Sequence, residues 1–427
     1  MSALFLLLVL FVCLALGAPV AVSLGLASIT TMLLFADQSM LSLAQRFFHT
    51  MQVYPLLAVP FFILAATFMT TGGVAKRMID FANALVGHFR GGLAMAAVLA
   101  CAFFSAVSGS SPATVVAVGS VMIGGMIASG YTRRFASGVI CNAGTLGILI
   151  PPSLVMVIYG AVTESSIGNL FIAGIVPGVI LTLAMMATVA VIARRQNLPR
   201  QPSVGWMGAL KAGRRAFWGL ILMVIILGGI YAGIFTPTEA AAVAAVYAFV
   251  VAVFIYKDIG IRDVPGVLTE AARTTAMLMF IIANAYLFAF VLTTEQIPQA
   301  ASEWIVGLGL PAWGFLIVVN ILLLLFGNFM EPSSVVLILT PILFPIATQM
   351  GIDPIHLGVM IVLNMEIGLV TPPVGLNLFV TSSVANMSME EVIRAALPWL
   401  MVLLSVLIIV TYIPGVSLIV PRLLGVL

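Results

Sequence analysis

Asn142-Ala-Gly-Thr-Leu-Gly-Ile-Leu-Ile-Pro-Pro152 interrupts an apolar run, and Asn364-Met-Glu-Ile-Gly-Leu-Val-Thr-Pro-Pro-Val-Gly375 interrupts a second in the same way. A Pro-Pro pair removes two amide donors and frees upstream carbonyls. Glycines let the backbone turn and come close to a ligand. Shifting the sequence by 221 residues lays one break on the other: Gly147 falls on Gly368 and Pro151-Pro152 on Pro372-Pro373. The same shift puts Gly130 on Gly351, Ile140 on Ile361, Ile172 on Ile393 and Pro177 on Pro398. Ahead of each break, Ser108-Gly-Ser-Ser-Pro112 falls opposite Phe329-Met-Glu-Pro-Ser333. The chain thus reads as a repeat in which each half carries an interrupted apolar segment.

The composition places these breaks in a membrane. Of 427 residues, 63% are hydrophobic and 7% charged, with a mean hydropathy of +1.25. Soluble domains carry about 25% charge, so a soluble enzyme, a nucleic-acid binder and a disordered chain are excluded. Apolar runs near the length a bilayer demands, about 20 residues, occur near 2–35, 51–71, 91–107, 112–129, 135–160, 168–193, 214–234, 239–256, 274–293, 312–329, 333–350, 355–382 and 395–420. Met1 to Ala18 has no Lys or Arg ahead of its apolar run, so it reads as a retained helix rather than a signal peptide. Pro19 kinks or splits the first run.

Basic residues mark the cytoplasmic side. Arg194, Arg195, Arg200, Lys211, Arg214 and Arg215 share one short loop, which is therefore placed inside. Counting spans outward puts 15 basic residues inside and two, Arg46 and Arg422, outside, with 91–107/112–129 and 312–329/333–350 taken as re-entrant hairpins. The charge count is similar if both arms cross fully. The turn Ser105-Ala-Val-Ser-Gly-Ser-Ser-Pro-Ala-Thr114 carries no charge, which favours a hairpin buried in protein at membrane depth. In this topology the first hairpin enters from the cytoplasm and the second from outside. The halves are then inverted, as in secondary transporters that bind cargo between them.

The tips offer the hydroxyls of Ser108, Ser110, Ser111 and Thr114, and of Ser333 and Ser334. Some of these bond only to their own helix; clustered with Gly109 they read as ligands for an ion or a carboxylate. Glu331 and Glu366 are read as the acids deep in apolar segments, functional by default. Each binds Na⁺ or carries a proton, with cation binding preferred and a local hydrogen-bond anchor as the structural alternative. No Lys or Arg lies in the middle of a run, so an anionic cargo must be met by helix ends, hydroxyls and a co-bound cation. Glu239 in Phe235-Thr-Pro-Thr-Glu239 reads as a helix start capped by Thr236 or Thr238. Trp206, Trp218, Trp304, Trp313 and Trp399 read as interfacial anchors. Gly72–Gly92 reads as an amphipathic surface helix. Cys13, Cys101 and Cys141 have no metal-ligand spacing.

Phe104-Ser-Ala-Val-Ser-Gly-Ser-Ser-Pro-Ala-Thr114, Gly144-Thr-Leu-Gly-Ile-Leu-Ile-Pro-Pro-Ser153, Phe235-Thr-Pro-Thr-Glu-Ala240 and Gly368-Leu-Val-Thr-Pro-Pro-Val-Gly375 resemble the motifs of the large, dicarboxylate-type membrane subunit of TRAP (tripartite ATP-independent periplasmic) transporters. The resemblance covers essentially the whole chain. It implies a multi-pass subunit in a bacterial or archaeal inner membrane. Such a subunit takes an organic anion from a periplasmic binding protein and moves it inward on a Na⁺ gradient. It also implies a small four-helix membrane partner, here a separate chain, and an elevator mechanism. The fold expected is an all-α polytopic membrane protein of two inverted repeats, each with a re-entrant hairpin and an interrupted helix. Residues 1–50 are read as N-terminal scaffold and 51–167 as the first repeat, with hairpin 91–130 and broken helix 135–160. Residues 168–273 are read as connecting scaffold and 274–427 as the second repeat, with hairpin 312–350, broken helix 355–382 and a final helix.

Carried onto this chain, the motifs assign substrate contacts to Ser108, Gly109, Ser110, Ser111, Thr114, Pro152, Thr371 and Asn377. Na⁺ ligands are assigned to Ser108, Ser110, Asn142, Gly144, Thr145, Gly147, Gly327, Asn328, Glu331, Asn364, Glu366, Gly368, Thr371 and Gly375. No cofactor is expected beyond Na⁺ as the coupling ion. The alternative is a stand-alone Na⁺- or H⁺-coupled anion carrier needing no binding protein. An intramembrane enzyme fits poorly: every Asp (37, 80, 258, 263, 353) lies at a segment edge, and no His has a mid-membrane acid beside it.

Overall fold

The structure, a computed structural model, describes residues 2–35, 40–307 and 309–426, without the side chains of 3, 40, 42, 43, 46, 50, 301, 302 and 304–306. The readings of Asp37 and of the Arg46 and Trp304 side chains fall outside the described residues. The described chain is helical. It begins with α1 (Ser2–Ala15), α2 (Val20–Phe35) and α3 (Met40–Thr50), so the first apolar run is two helices, parted just before Pro19 and packed on each other.

A 3₁₀ turn, Tyr54–Leu57, leads into α4 (Ala58–Thr71), followed by α5 (Val74–Val86), α6 (Gly92–Ser108), α7 (Ser111–Ala128), α8 (Arg133–Ala143), the single turn α9 (Leu146–Leu149), α10 (Leu154–Thr163) and α11 (Ile167–Arg195). Next come α12 (Gly205–Tyr231) and α13 (Pro237–Val250), the latter prolonged by a π turn. The last stretch is α14 (Val264–Thr294), α15 (Ile297–Gly307), α16 (Ala312–Gly327), α17 (Pro332–Gln349), α18 (Pro354–Gly368), α19 (Leu376–Ala385), α20 (Met389–Tyr412) and α21 (Gly415–Leu423). Nine helical segments among the described residues are long and apolar enough to cross a membrane.

One order of elements occurs twice: two helices, a helical hairpin, a broken helix and a long helix containing proline. It runs from α4 to α11 and again from α14 to α20. The terminal signals match in detail. Gly130 and Gly351 both take positive φ (+91° and +76°) after the hairpin, a conformation open to residues without Cβ. Thr132 and Asp353 then cap α8 and α18 through side-chain oxygens. Ser166 and Ser388 cap α11 and α20, with Pro177 and Pro398 inside them. In this order α11 follows the first broken helix as α20 follows the second. The last apolar run is likewise two helices, α20 and α21.

The two sets are interleaved. The far half of each broken helix packs on the hairpin of the other set, α10 on α17 and α19 on α7. Outside this core, α4 packs on α13 and α14, α2 on α14, and α5 on α12. Arg77, at the start of α5, pairs with Asp258, just ahead of α14, and lies over the Tyr256 ring. The contact pins the C-terminal end of α4 close to the N-terminal end of α14.

Several local expectations are met. Thr236, not Thr238, caps α13 in a full capping box with Glu239. The amphipathic stretch 72–92 is α5, its apolar side packed on α6 and α12. Trp206 and Trp313 are 80% and 61% exposed, but Trp399 is 2% exposed and edge-on to Phe135. Trp399 is therefore a core residue and not an interfacial anchor. Hydropathy also misplaced the start of α14: a run read as beginning at 274 begins at 264, so Glu270 and Arg273 lie inside a long helix.

Candidate functional site

Each hairpin tip is pressed against the break of its own set. In the first, α6 ends at Ser108, Gly109 turns at φ +58° and extended Ser110 leads into α7. A Cβ on Gly147 would lie 2.6 Å from the Ser110 carbonyl oxygen, and one on Gly109 2.9 Å from that of Pro152. In the second, a Cβ on Gly368 would lie 2.8 Å from the Gly327 backbone. The Gly375 amide donates to the Asn328 carbonyl at 3.1 Å. The repeated Gly-x-x-x-Pro-Pro motif thus has a packing cause: its glycine is where tip and break touch backbone to backbone. Both Pro-Pro bonds are cis.

The polar groups divide into bonded and free. Ser108 and Thr114 share their hydroxyls at 3.0 Å, and Thr114 also donates to the Ser110 carbonyl. Thr145 donates to Asn142 O and Thr371 to Ile367 O, both at 2.6 Å. Ser111 bridges three segments: its hydroxyl lies 2.8 Å from the Gly144 carbonyl and in hydrogen-bond contact with the Glu366 carboxyl. Asn142 donates to Gly138 O and Ala396 O, and Asn364 to both oxygens of Asn320. Buried oxygens of Asn142, Asn328, Asn364, Glu366 and Asn377 have no partner. Buried polar atoms are normally satisfied, so five such oxygens around two backbone breaks suit a site for a hard cation. Glu331 is different: it caps α17, accepting from the Ser333 hydroxyl at 2.8 Å and the Ser334 amide at 3.3 Å. Its carboxylate is thereby held as a local hydrogen-bond anchor of the tip.

Between the tips and helices α4 and α14 lies a cavity of about 310 Å³, the size of a small-molecule site. First-turn residues of four helices form part of its wall: Pro112 of α7, Leu154 of α10, Pro332 of α17 and Leu376 of α19. Each such end carries partial positive charge. Opposite stand Thr67, Thr70 and Thr71 of α4 and Glu270 and Thr274 of α14. No Lys, Arg or His is on this wall among the described residues. The arrangement suits an anion held by helix ends and hydroxyls and accompanied by cations.

The family described as "Tripartite ATP-independent periplasmic transporter, DctM component" matches residues 7–416. The chain belongs to this family. It is 64% identical, over 94% of both chains, to the C4-dicarboxylate TRAP transporter large permease protein DctM of Pseudomonas aeruginosa. To the protein of the same description from Rhodobacter capsulatus it is 51% identical over the full length of both. Among solved structures, the YdaH transporter of Alcanivorax borkumensis is similar, with TM-score 0.54, 16% identity and coverage of 87% and 88% of the two chains. That likeness concerns the fold alone. The TRAP resemblance drawn from the motifs is borne out, and the chain is a TRAP large permease, a multi-pass transporter subunit.

In this DctM-family permease, the proposed substrate residues Ser108, Gly109 and Ser110 reach the cavity wall, whereas Ser111, Thr114, Pro152, Thr371 and Asn377 do not. Ser111 and Thr114 are buried behind the tip, and the Pro152 carbonyl packs on Gly109. Of the proposed Na⁺ ligands, Gly144 and Glu366 meet through Ser111, and Asn328 meets Gly375. Sequence reading missed Thr67, Thr70, Thr71, Glu270 and Thr274. Their only signal was polarity at a run's edge.

Proposed function

We propose that this permease carries out Na⁺-coupled secondary uptake of an organic anion across the bacterial inner membrane. Its relatives' description as C4-dicarboxylate permeases makes a C4-dicarboxylate the favoured cargo. A periplasmic binding protein delivers it and a separate small four-helix membrane subunit assists. The observation that carries the reading is the cavity wall. It combines four helix N-termini with hydroxyls and lacks any Lys, Arg or His among the described residues. An anion desolvated there gains from helix ends and from Na⁺ at the neighbouring unpartnered oxygens.

The halves are read as inverted. Matched helices α4 and α14 run end to start at the Arg77–Asp258 contact, where the positive-inside pattern puts the cytoplasm. The cavity, at the same ends of α4 and α14, then opens inward. Tips and breaks on one wall, with α4 and α14 on the other, support an elevator in which the tip-bearing part slides along these helices.

The test is [¹⁴C]succinate uptake into proteoliposomes holding this chain with its small subunit and binding protein. Uptake that requires an inward Na⁺ gradient and all three components is expected. Uptake by this chain alone would favour a stand-alone carrier, and uptake indifferent to Na⁺ would remove the coupling.

A further inference from the structure

Two acids line the cavity, Glu331 and Glu270. Glu331 is tied into the start of α17 by Ser333 and Ser334. Glu270 is exposed, and its carboxylate forms neither of the ion pairs found among the described residues. It sits two turns into α14, on the wall facing the tips. It also belongs to an open surface patch on the same face of α14, with Pro265, Gly266, Thr269, Arg273 and Thr274. Glu270 and Thr274 belong to both, so the carboxylate stands at the rim of the cavity, where its wall turns onto the exposed face of α14. Arg273, one turn on, lies on the exposed face of α14 outside the cavity and is not paired with Glu270. A fixed negative charge at the exit of an anion site has no use in holding the cargo.

We propose that Glu270 is a release residue, a fixed negative charge that weakens the hold on an organic dianion when the tips face α14 and so speeds its departure to the cytoplasm. The inference rests on the anion reading above. Because Glu270 belongs to α14 and not to a hairpin, its repulsion acts in the inward-facing arrangement alone. Coulomb energy scales with cargo charge, so a change of threefold for a monoanion becomes its square for a dianion.

In proteoliposomes with both partners, the readout is the luminal concentration of succinate, and of its monoamide succinamate, that half-inhibits succinate uptake. Glu270→Gln should lower it by about tenfold for succinate and about threefold for succinamate, and high salt should shrink both effects. Glu270→Asp, which keeps the charge, should stay within about twofold of wild type. Equal shifts for the two compounds, no shift, or a change confined to luminal Na⁺ dependence would overturn the inference alone. A wild-type chain that moves no organic anion with its partners overturns the functional reading, and the inference with it.

Discussion

Gly147→Ala isolates the contact on which the tip-and-break arrangement depends. The added methyl would sit 2.6 Å from the Ser110 carbonyl oxygen, 2.7 Å from its carbon and 2.7 Å from the Ser111 Cα. All three are backbone atoms at the start of a helix, so no side chain can swing aside. Forcing a methyl into a filled space costs about 1–3 kcal/mol. Moving the tip away also stretches the 2.8 Å contact from Ser111 to the Gly144 carbonyl, a buried bond whose loss costs about 1 kcal/mol. The expected destabilisation is about 2–4 kcal/mol. Gly124→Ala is the control: its Cβ meets nothing within 4 Å, and alanine in a helix should be neutral or stabilising by up to about 1 kcal/mol. The assay is thermal unfolding of the purified permease complex, paired with Na⁺-driven succinate uptake. Gly147→Ala should unfold at a lower temperature and lose most uptake; Gly124→Ala should do neither. Wild-type stability and uptake in Gly147→Ala would refute the close-contact account of the motif.

The matched substitution Gly368→Ala should behave like Gly147→Ala, because its Cβ meets the Gly327 backbone at 2.8 Å; the same unfolding assay decides. Ser111→Ala should reduce uptake far more than Ser110→Ala, since it strands the buried Glu366 carboxyl without its hydroxyl partner at a cost of about 1–3 kcal/mol. Equal transport rates in the two variants would contradict that. Glu366→Gln should raise the Na⁺ concentration needed for half-maximal uptake, whereas Glu331→Gln, which keeps an oxygen for the cap, should leave it near wild type. A reversed order would restore Glu331 as the cation ligand. Trp399→Ala should destabilise the fold by about 3–5 kcal/mol as a core truncation, and an unshifted unfolding temperature would return Trp399 to the membrane boundary.

Much of the architecture was legible because it is written in residues with backbone consequences. Gly130 and Gly351, Pro151-Pro152 and Pro372-Pro373, and Pro177 and Pro398 announce turns, breaks and helix positions by local rules that hold wherever the chain goes. Their spacing disclosed the repeat, and the low charge disclosed the membrane. Hydropathy was weaker at boundaries. It fused α1 with α2 and α20 with α21, since apolar helices joined by apolar turns form one continuous run. It started α14 ten residues late, because a helix keeps its hydrogen bonds through Glu270 and Arg273 whether or not those residues suit lipid.

By itself, then, the sequence determined the class of molecule, its family and the two breaks, because membrane burial, proline and glycine act through composition and local backbone geometry. Only the tertiary structure decided which groups meet. Ser111 reaches Glu366 across 255 residues, and Glu270 faces a hairpin tip from another helix. Glu331 and Glu366, alike as deep acids in the sequence, part company once one finds two donors in its own first turn and the other is left with an unpartnered oxygen. Whether a buried oxygen is spent on a neighbour or left for a ligand depends on packing between segments far apart in the chain, which no local pattern encodes.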